Sequence, residues 1–338
     1  MPAETAAPVR EAGWRFCVAP MMERTDRHFR FLARLLTGRA RLYTEMVHAR
    51  AVLGPAGERL LAFDPAEHPV ALQLGGSDPD LLARATARAV EAGYDEVNLN
   101  VGCPSPRVSA GRFGACLMKE PALVAECVAA MRERAAGRPV TVKTRIGVDE
   151  LDGYEHLARF VEAVAAAGCR VFVVHARKAW LRGLSPEENR TVPPLRHEVV
   201  HRLKADFRDL TVVLNGGLGT LADCRAHLER GLDGVMVGRA AWDEPWMLAG
   251  VDAALWGEAA APRSRAAVVH AYLERHVRPE LAAGTRLPRL VKPLLRLFQG
   301  EPGAARWRRH LAEAAPRRPS DAGVVLEALR HVAPAEAA

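Results

Sequence analysis

A parallel (β/α)8 TIM barrel followed by a small C-terminal helical domain is the fold this sequence predicts, on three observations. Between residues 15 and 239, eight short apolar or β-branched runs alternate with helix-like segments. The runs are apolar on both faces, as in a parallel sheet covered by helices. The first run ends in Ala19-Pro20-Met21-Met22, where the alternative architecture, an open dinucleotide-binding sheet, would carry G-x-G-x-x-G. Length agrees, since a barrel takes ~250 residues and the chain has 338.

The expected strands are 15–22, 41–47, 69–76, 96–103, 140–147, 171–177, 211–217 and 234–239. Helices are expected near 26–37, 79–92, 121–135, 153–167, 196–207 and 220–230. Asp78-Pro79 and Glu120-Pro121 put proline in a first helical turn, where its missing N–H leaves no bond unmade. Between the second and third strands, Gly54, Pro55, Gly57 and Pro65 predict a loop. Residues 1–12 read as a flexible Ala/Pro tail and 13–255 as the barrel. Residues 256–338 read as a helical domain, with helices near 265–282, 286–299, 302–315 and 320–332.

Composition bounds the function classes. Hydrophobic residues make up 49% and charged residues 26%, as in a globular chain with a substantial core. No apolar run approaches the ~18 residues of a membrane span, and the first eleven residues lack the apolar stretch of a secretory signal. A cytoplasmic enzyme is expected. The six cysteines are scattered without C-x-x-C spacing, which predicts neither a zinc site nor a disulfide framework, and no metal. The net charge is +7, but 42 of the 47 basic residues are Arg, which reads as coding bias. Location says more: residues 262–318 carry 13 Arg/Lys against four Asp/Glu. Within that segment Arg289, Lys292 and Arg296 fall at i, i+3 and i+7, one face of a helix that could follow a phosphate backbone.

In a barrel the site gathers at the C-terminal ends of the strands. Here those ends carry Met21, Glu45, Gln73, Asn98, Asn100, Cys103, Lys143, Arg145, His175, Arg177, Asn215, Gly238 and Arg239. Asn215-Gly216-Gly217 and Gly238-Arg239 close strands seven and eight, where barrels bind phosphate on glycine-rich backbone; tight turns alone would also use these glycines. Lys143 and His175 suit a flavin, because a reduced isoalloxazine carries negative charge near N1 and O2. A strand-end lysine also suits a Schiff-base aldolase. Arg145 adds a second cation, and Gln73 offers both acceptor and donors to a ring edge. Cys103, held between Gly102 and Pro104 on a turn, is a candidate general acid: thiols, with pKa ~8.5, remain largely protonated at neutral pH.

The ordered set Ala19-Pro20-Met21, Gln73, the N-x-N-x-G-C-P run from Asn98 to Pro104, Lys143-Thr-Arg145, Val174-His175-Ala-Arg177, Asn215-Gly-Gly217 and Gly238-Arg239 resembles tRNA-dihydrouridine synthase. Tyr43-Thr-Glu-Met46, the stretch from His175 to Arg190, and Leu297-Phe-Gln-Gly300 resemble its A subfamily. The likeness runs from about Phe16 into the helical tail. Glu23-Arg24 departs from it, where an acidic–aromatic pair is expected at the flavin entrance.

The resemblance implies that NADPH reduces a tightly bound FMN, which passes hydride to C6 of a D-loop uridine, expected at positions 20 and 20a. Cys103 would protonate C5. Pro20, Met21, Met22, Gln73, Lys143, His175, Asn215, Gly216, Gly217, Gly238 and Arg239 would hold FMN. Asn100, Arg145 and Arg177 would hold the flipped uridine, and Lys178, Arg190, Arg289, Lys292 and Arg296 would contact tRNA. The basic helical segment is the expected RNA grip, since a base must leave its stack to reach the flavin. A flavin reductase acting on a free pyrimidine or other small metabolite, and a flavin-free aldolase using Lys143, are the competing readings.

Overall fold

The computed structural model describes residues 13–258 and 264–332. The tail expected over 1–12 lies outside the described residues. Eight parallel strands, β1 Phe16–Val18, β2 Arg41–His48, β3 Val70–Gly75, β4 Glu96–Asn100, β5 Val140–Arg145, β6 Val171–His175, β7 Thr211–Asn215 and β8 Gly234–Val237, close in sequence order into one barrel. All eight lie where the sequence places them. Most stop two to four residues early at their C-terminal ends, because there the chain leaves the ladder to form the rim.

Six helices cover the barrel: α1 Arg27–Leu36, α2 Pro79–Glu91, α3 Pro121–Arg134, α4 Tyr154–Ala166, α5 His197–Asp206 and α6 Leu221–Glu229. Local chemistry sets their starts. Asp26 accepts from the N–H groups of His28 and Phe29, Asp78 caps α2 ahead of Pro79, and Thr220 with Asp223 closes a capping box on α6. The segment after β2, expected as loop, instead forms two short helices, Ala49–Val52 and Gly57–Leu61, and a 3-10 turn at Pro65–Glu67. Gly57 makes the close fit: a Cβ there would sit 2.1 Å from the Val52 carbonyl oxygen.

The barrel interior has two halves. Val171, Val173, Val213, Met236 and Cys17 fill one side with apolar atoms. Glu96, Asn98 and Asn100, alternate residues of β4, point inward on the other, beside Gln73 of β3 and Thr141 of β5.

After β8 the chain is helical. α7 Arg265–Tyr272 runs through a wide π-turn, Leu273–Val277, into α8 Arg278–Ala282; α9 Leu287–Val291, α10 Ala304–Arg317 and α11 Gly323–Leu329 follow. These helices share one continuous core with the outer barrel layer. The Tyr272 hydroxyl donates to the carbonyls of Leu290 (2.9 Å) and His28 (3.3 Å), Arg27 pairs with Glu280, and His28 Nδ1 lies 2.9 Å from His276 Nε2. Trp307, fully buried with its indole N–H on the Leu294 carbonyl at 2.9 Å, fixes α10. Truncating such a side chain costs about 3–5 kcal/mol. No helix among the described residues is long and apolar enough to cross a membrane.

Candidate active site

A cavity of about 490 Å³ opens at the C-terminal end of the barrel, within the size range of small-molecule sites. All eight strands or their rim loops contribute. Fifteen sequence-predicted residues line it: Pro20, Met21, Met22, Gln73, Asn100, Cys103, Lys143, Arg145, His175, Arg190, Asn215, Gly216, Gly217, Gly238 and Arg239.

Lys143 projects from β5 into this cavity, half-buried, with its Nζ donating to Asn215 Oδ1 at 3.0 Å. Asn215 is held in turn by its own amide, which donates to the Met236 carbonyl at 2.7 Å. Among the described residues no carboxylate pairs with Lys143. Loss of solvent, then the neighbouring Arg145 guanidinium, pushes the Lys143 ammonium down to about 7. Burial, and then Arg145 and Lys143, likewise hold His175 well below the usual histidine range, so its ring is neutral. A cation with no carboxylate partner among the described residues and a neutral imidazole, both lining one cavity, fit an anionic, hydrogen-bonding ring system. Alone, a lysine near 7 would equally suit a Schiff base.

Cys103 lies on the loop after β4, half-buried and facing the cavity. Four bonds hold that loop. The N–H groups of Gly102 (3.1 Å) and Cys103 (3.0 Å) donate to Asn100 Oδ1, Arg145 Nε donates to the Gly102 carbonyl (2.8 Å), and the Ala115 N–H donates to the Cys103 carbonyl (2.9 Å). Cys17, Cys127, Cys169 and Cys224 are buried, and burial raises the thiol pKa of each.

On the opposite wall Gly216 and Gly217 take φ of 102° and 76°, and a Cβ on Gly217 would lie 2.4 Å from Leu195. Both positions require glycine, and their backbone borders the cavity. Arg190 and Arg239 stand exposed at the rim, joined by an Arg239 Nη2 bond to the Arg190 carbonyl at 3.3 Å.

Five predicted residues are not brought to the cavity lining. β6 ends at His175, and the chain turns there, so Arg177 donates to the Pro193 carbonyl and Lys178 pairs with Asp152 at 2.8 Å. Arg289, Lys292 and Arg296 do not share one helical face. Pro293 ends the α-helix, and Lys292–Arg296 continues as a 3-10 turn. All three remain exposed, and two reach the barrel rim: Lys292 Nζ donates to the Glu23 carbonyl at 2.6 Å, and Arg296 lies 3.6 Å from Asp243. Arg145 and Asn100 line the cavity but are largely engaged with the protein. Beyond its bond to Gly102, Arg145 donates to the carbonyls of Lys178 (3.0 Å) and Asn189 (2.9 Å).

Sequence reasoning missed Arg24, Met46, Met236 and Asp243, which also line the cavity. Arg24 and Lys292 both approach the Trp242 ring, at 5.9 and 5.8 Å from its centre. The departure at Glu23-Arg24 therefore puts an Arg–Trp contact where an aromatic side chain was expected.

Comparison with known proteins agrees with this geometry. The family model for dihydrouridine synthase (Dus) matches residues 17–333. The chain is 56% identical over 306 residues to the tRNA-dihydrouridine(20/20a) synthase of Xanthomonas axonopodis pv. citri, covering 90% of each chain. It is 52% identical over 317 residues to the protein of the same name from Shewanella oneidensis, covering 94% of this chain and 93% of the relative. The Synechocystis protein of that name is 53% identical over 297 residues, covering 88% of each. With the barrel, the strand-end residues and matches of this extent in accord, the chain belongs to the dihydrouridine synthase family.

Proposed function

We propose that this chain reduces the C5–C6 double bond of uridine at positions 20 and 20a of the tRNA D-loop, in a cavity built for FMN and with NADPH as reductant. The observation that carries the reading is the presence of Lys143, a cavity cation with no counter-ion among the described residues, together with the Cys103 thiol on the same cavity. FMN, when bound, supplies hydride transfer to the uracil ring. Lys143 and His175 would face the ring edge that carries negative charge. Gln73 would hydrogen-bond the ring, and the backbone of Gly216, Gly217 and Gly238, with Arg239, would cradle the phosphate.

Cys103 holds the proton for C5. Its loop is pinned on both sides, so its thiol is presented at one position rather than swept through many. Met21 and Met22 supply an apolar wall for a flat ring, and exposed Arg190 meets the RNA at the rim.

The barrel, residues 13–255, carries the chemistry, and residues 256–338 supply the excess positive charge that grips the tRNA outside the cavity. Exposed Arg289, Lys292 and Arg296 belong to that surface, the last two at the barrel rim. The enzyme works in the cytoplasm, where tRNA is modified.

The test is direct. The purified protein should be yellow with a flavin spectrum, and should convert uridine to dihydrouridine in tRNA lacking the modification, read by nucleoside mass spectrometry. A colourless protein, or one that reduces free pyrimidines but not tRNA, overturns the reading.

A further inference from the structure

The polar half of the barrel interior forms one directed chain of hydrogen bonds from Glu96 to Cys103. Glu96 Oε1 accepts from the hydroxyls of Tyr43 (2.7 Å) and Thr141 (2.5 Å). Its Oε2 accepts from the Trp14 indole at 2.8 Å and lies 3.3 Å from Arg41 Nη1, a charge contact rather than a hydrogen bond. Thr141 has given its only hydrogen to the carboxylate, so its oxygen must accept, and it does so from Asn98 Nδ2 at 2.7 Å. The Asn98 oxygen therefore faces Gln73 and accepts from Nε2 at 2.7 Å. The Gln73 oxygen accepts from Asn100 Nδ2 at 2.8 Å, leaving Asn100 Oδ1 to receive the N–H groups of Gly102 and Cys103.

Each amide in this chain could be rotated by half a turn without changing its shape. Its ends forbid that. A carboxylate only accepts, and a backbone N–H only donates. Counted from either end, the chain demands the same orientation of Asn98, Gln73 and Asn100. Glu96, Thr141 and Asn98 are fully buried and do not line the cavity.

We propose that Glu96, acting through Thr141 and Asn98, is a positioning group for the reaction. It sets the direction in which the Gln73 and Asn100 amides face, and so holds the Cys103 loop and presents Gln73 to the ring. The proposal rests on the reading of Cys103 as proton donor.

Glu96→Gln tests the direction of the chain. The new NH2 cannot face Trp14 and Arg41, which are both donors, so it faces the Tyr43 and Thr141 hydroxyls, which can reverse. Reversal passes along Asn98, Gln73 and Asn100 and turns an amide NH2 toward the Cys103 N–H, freeing the loop. Thr141→Val breaks the chain away from Arg41 at constant volume, and Thr141→Ser retains the hydroxyl.

Expected results are a ten- to hundredfold fall in dihydrouridine formation for Glu96→Gln and Thr141→Val, on the order of what misplacement of a reacting group costs. Thr141→Ser should restore the rate. In Glu96→Gln/Thr141→Val the losses should not add, because the chain is already cut. Independently of turnover, alkylation of Cys103 by iodoacetamide, followed across pH by peptide mass spectrometry, should shift in Glu96→Gln and Thr141→Val but not in Thr141→Ser. Alkylation profiles alike in Thr141→Val and Thr141→Ser, or additive losses in the double variant, overturn the proposal. A parent enzyme that forms no dihydrouridine would instead overturn the functional reading.

Discussion

Lys143 on β5 reaches Asn215 on β7 across the strand between them, Nζ to Oδ1 at 3.0 Å, and this neutral amide is its hydrogen-bond partner. The amide orients the ammonium without neutralising it. That leaves a cation whose charge depends on what enters the cavity.

Flavin binding should therefore be linked to protons. In the free protein Lys143 titrates near 7, mainly through burial, against an ordinary lysine value of ~10.4. An anionic partner raises it back. Affinity is then greatest below pH 7 and weakens as pH rises through that value toward the bound-state pKa. At pH 8, binding of the reduced, anionic flavin should take up close to one proton, measured calorimetrically without oxygen in two buffers of different ionisation enthalpy. Lys143→Met should abolish the uptake and lower the potential of the bound flavin. Equal uptake in the variant would mean that another group faces the anion.

Cys103→Ala removes the proton donor but no group that faces the flavin. It should retain bound FMN and near-parental NADPH oxidation, while dihydrouridine formation falls by the ~10²–10⁴ of a lost general acid. Single-turnover assays on tRNA separate the two half-reactions. Product formation at the parental rate would remove Cys103 from the mechanism.

Arg289 and Arg296 are exposed, and Arg296 reaches the barrel rim at Asp243. Changing both to Glu should weaken tRNA binding and reduce its salt dependence by roughly one unit of slope for each phosphate no longer neutralised. Filter binding over a salt series reads both quantities. Unchanged affinity at every salt concentration would shift the RNA grip to Arg190, Arg239 and the rest of the rim.

Acid should loosen the seam between α1 and the C-terminal helices. Burial, together with His276, depresses His28 to about 3, and burial depresses His276 to about 4, both below the ~6.5 of an unfolded chain. The unfolded state thus binds more protons below pH 6.5. The stability present above 6.5 is lost as pH falls, with a slope of about 1.4 kcal/mol per pH unit per histidine. Melting temperature should drop between pH 7 and 5, and His276→Leu should flatten that dependence. An equal drop in the variant would assign it to other groups.

Much of the site was legible because barrel geometry concentrates chemistry at strand ends. Gln73, Lys143, His175 and Asn215 needed only a correct strand assignment to fall on one rim. Lys178 follows His175 and Arg177 closely in sequence, yet the strand has already ended and the side chain turns to Asp152. The face of Arg289, Lys292 and Arg296 assumed an unbroken helix, although Pro293 stood in the sequence to interrupt it. Glu96 was hidden for another reason. A carboxylate opening a strand reads as a solvated end, and only closure of the barrel brings Trp14, Tyr43 and Thr141 around it.

The π-turn at Leu273–Val277 accommodates one residue more than an α-helical turn would. Deleting a single residue there would relax the rod from Arg265 to Ala282 into a regular helix, a local improvement. Forcing the same residues into a regular helix without that deletion would instead rotate everything beyond the turn by about 100°, carrying Glu280 away from Arg27. The irregularity thus acts as a phase adjuster, spacing two sets of contacts that a uniform helix could satisfy only one at a time.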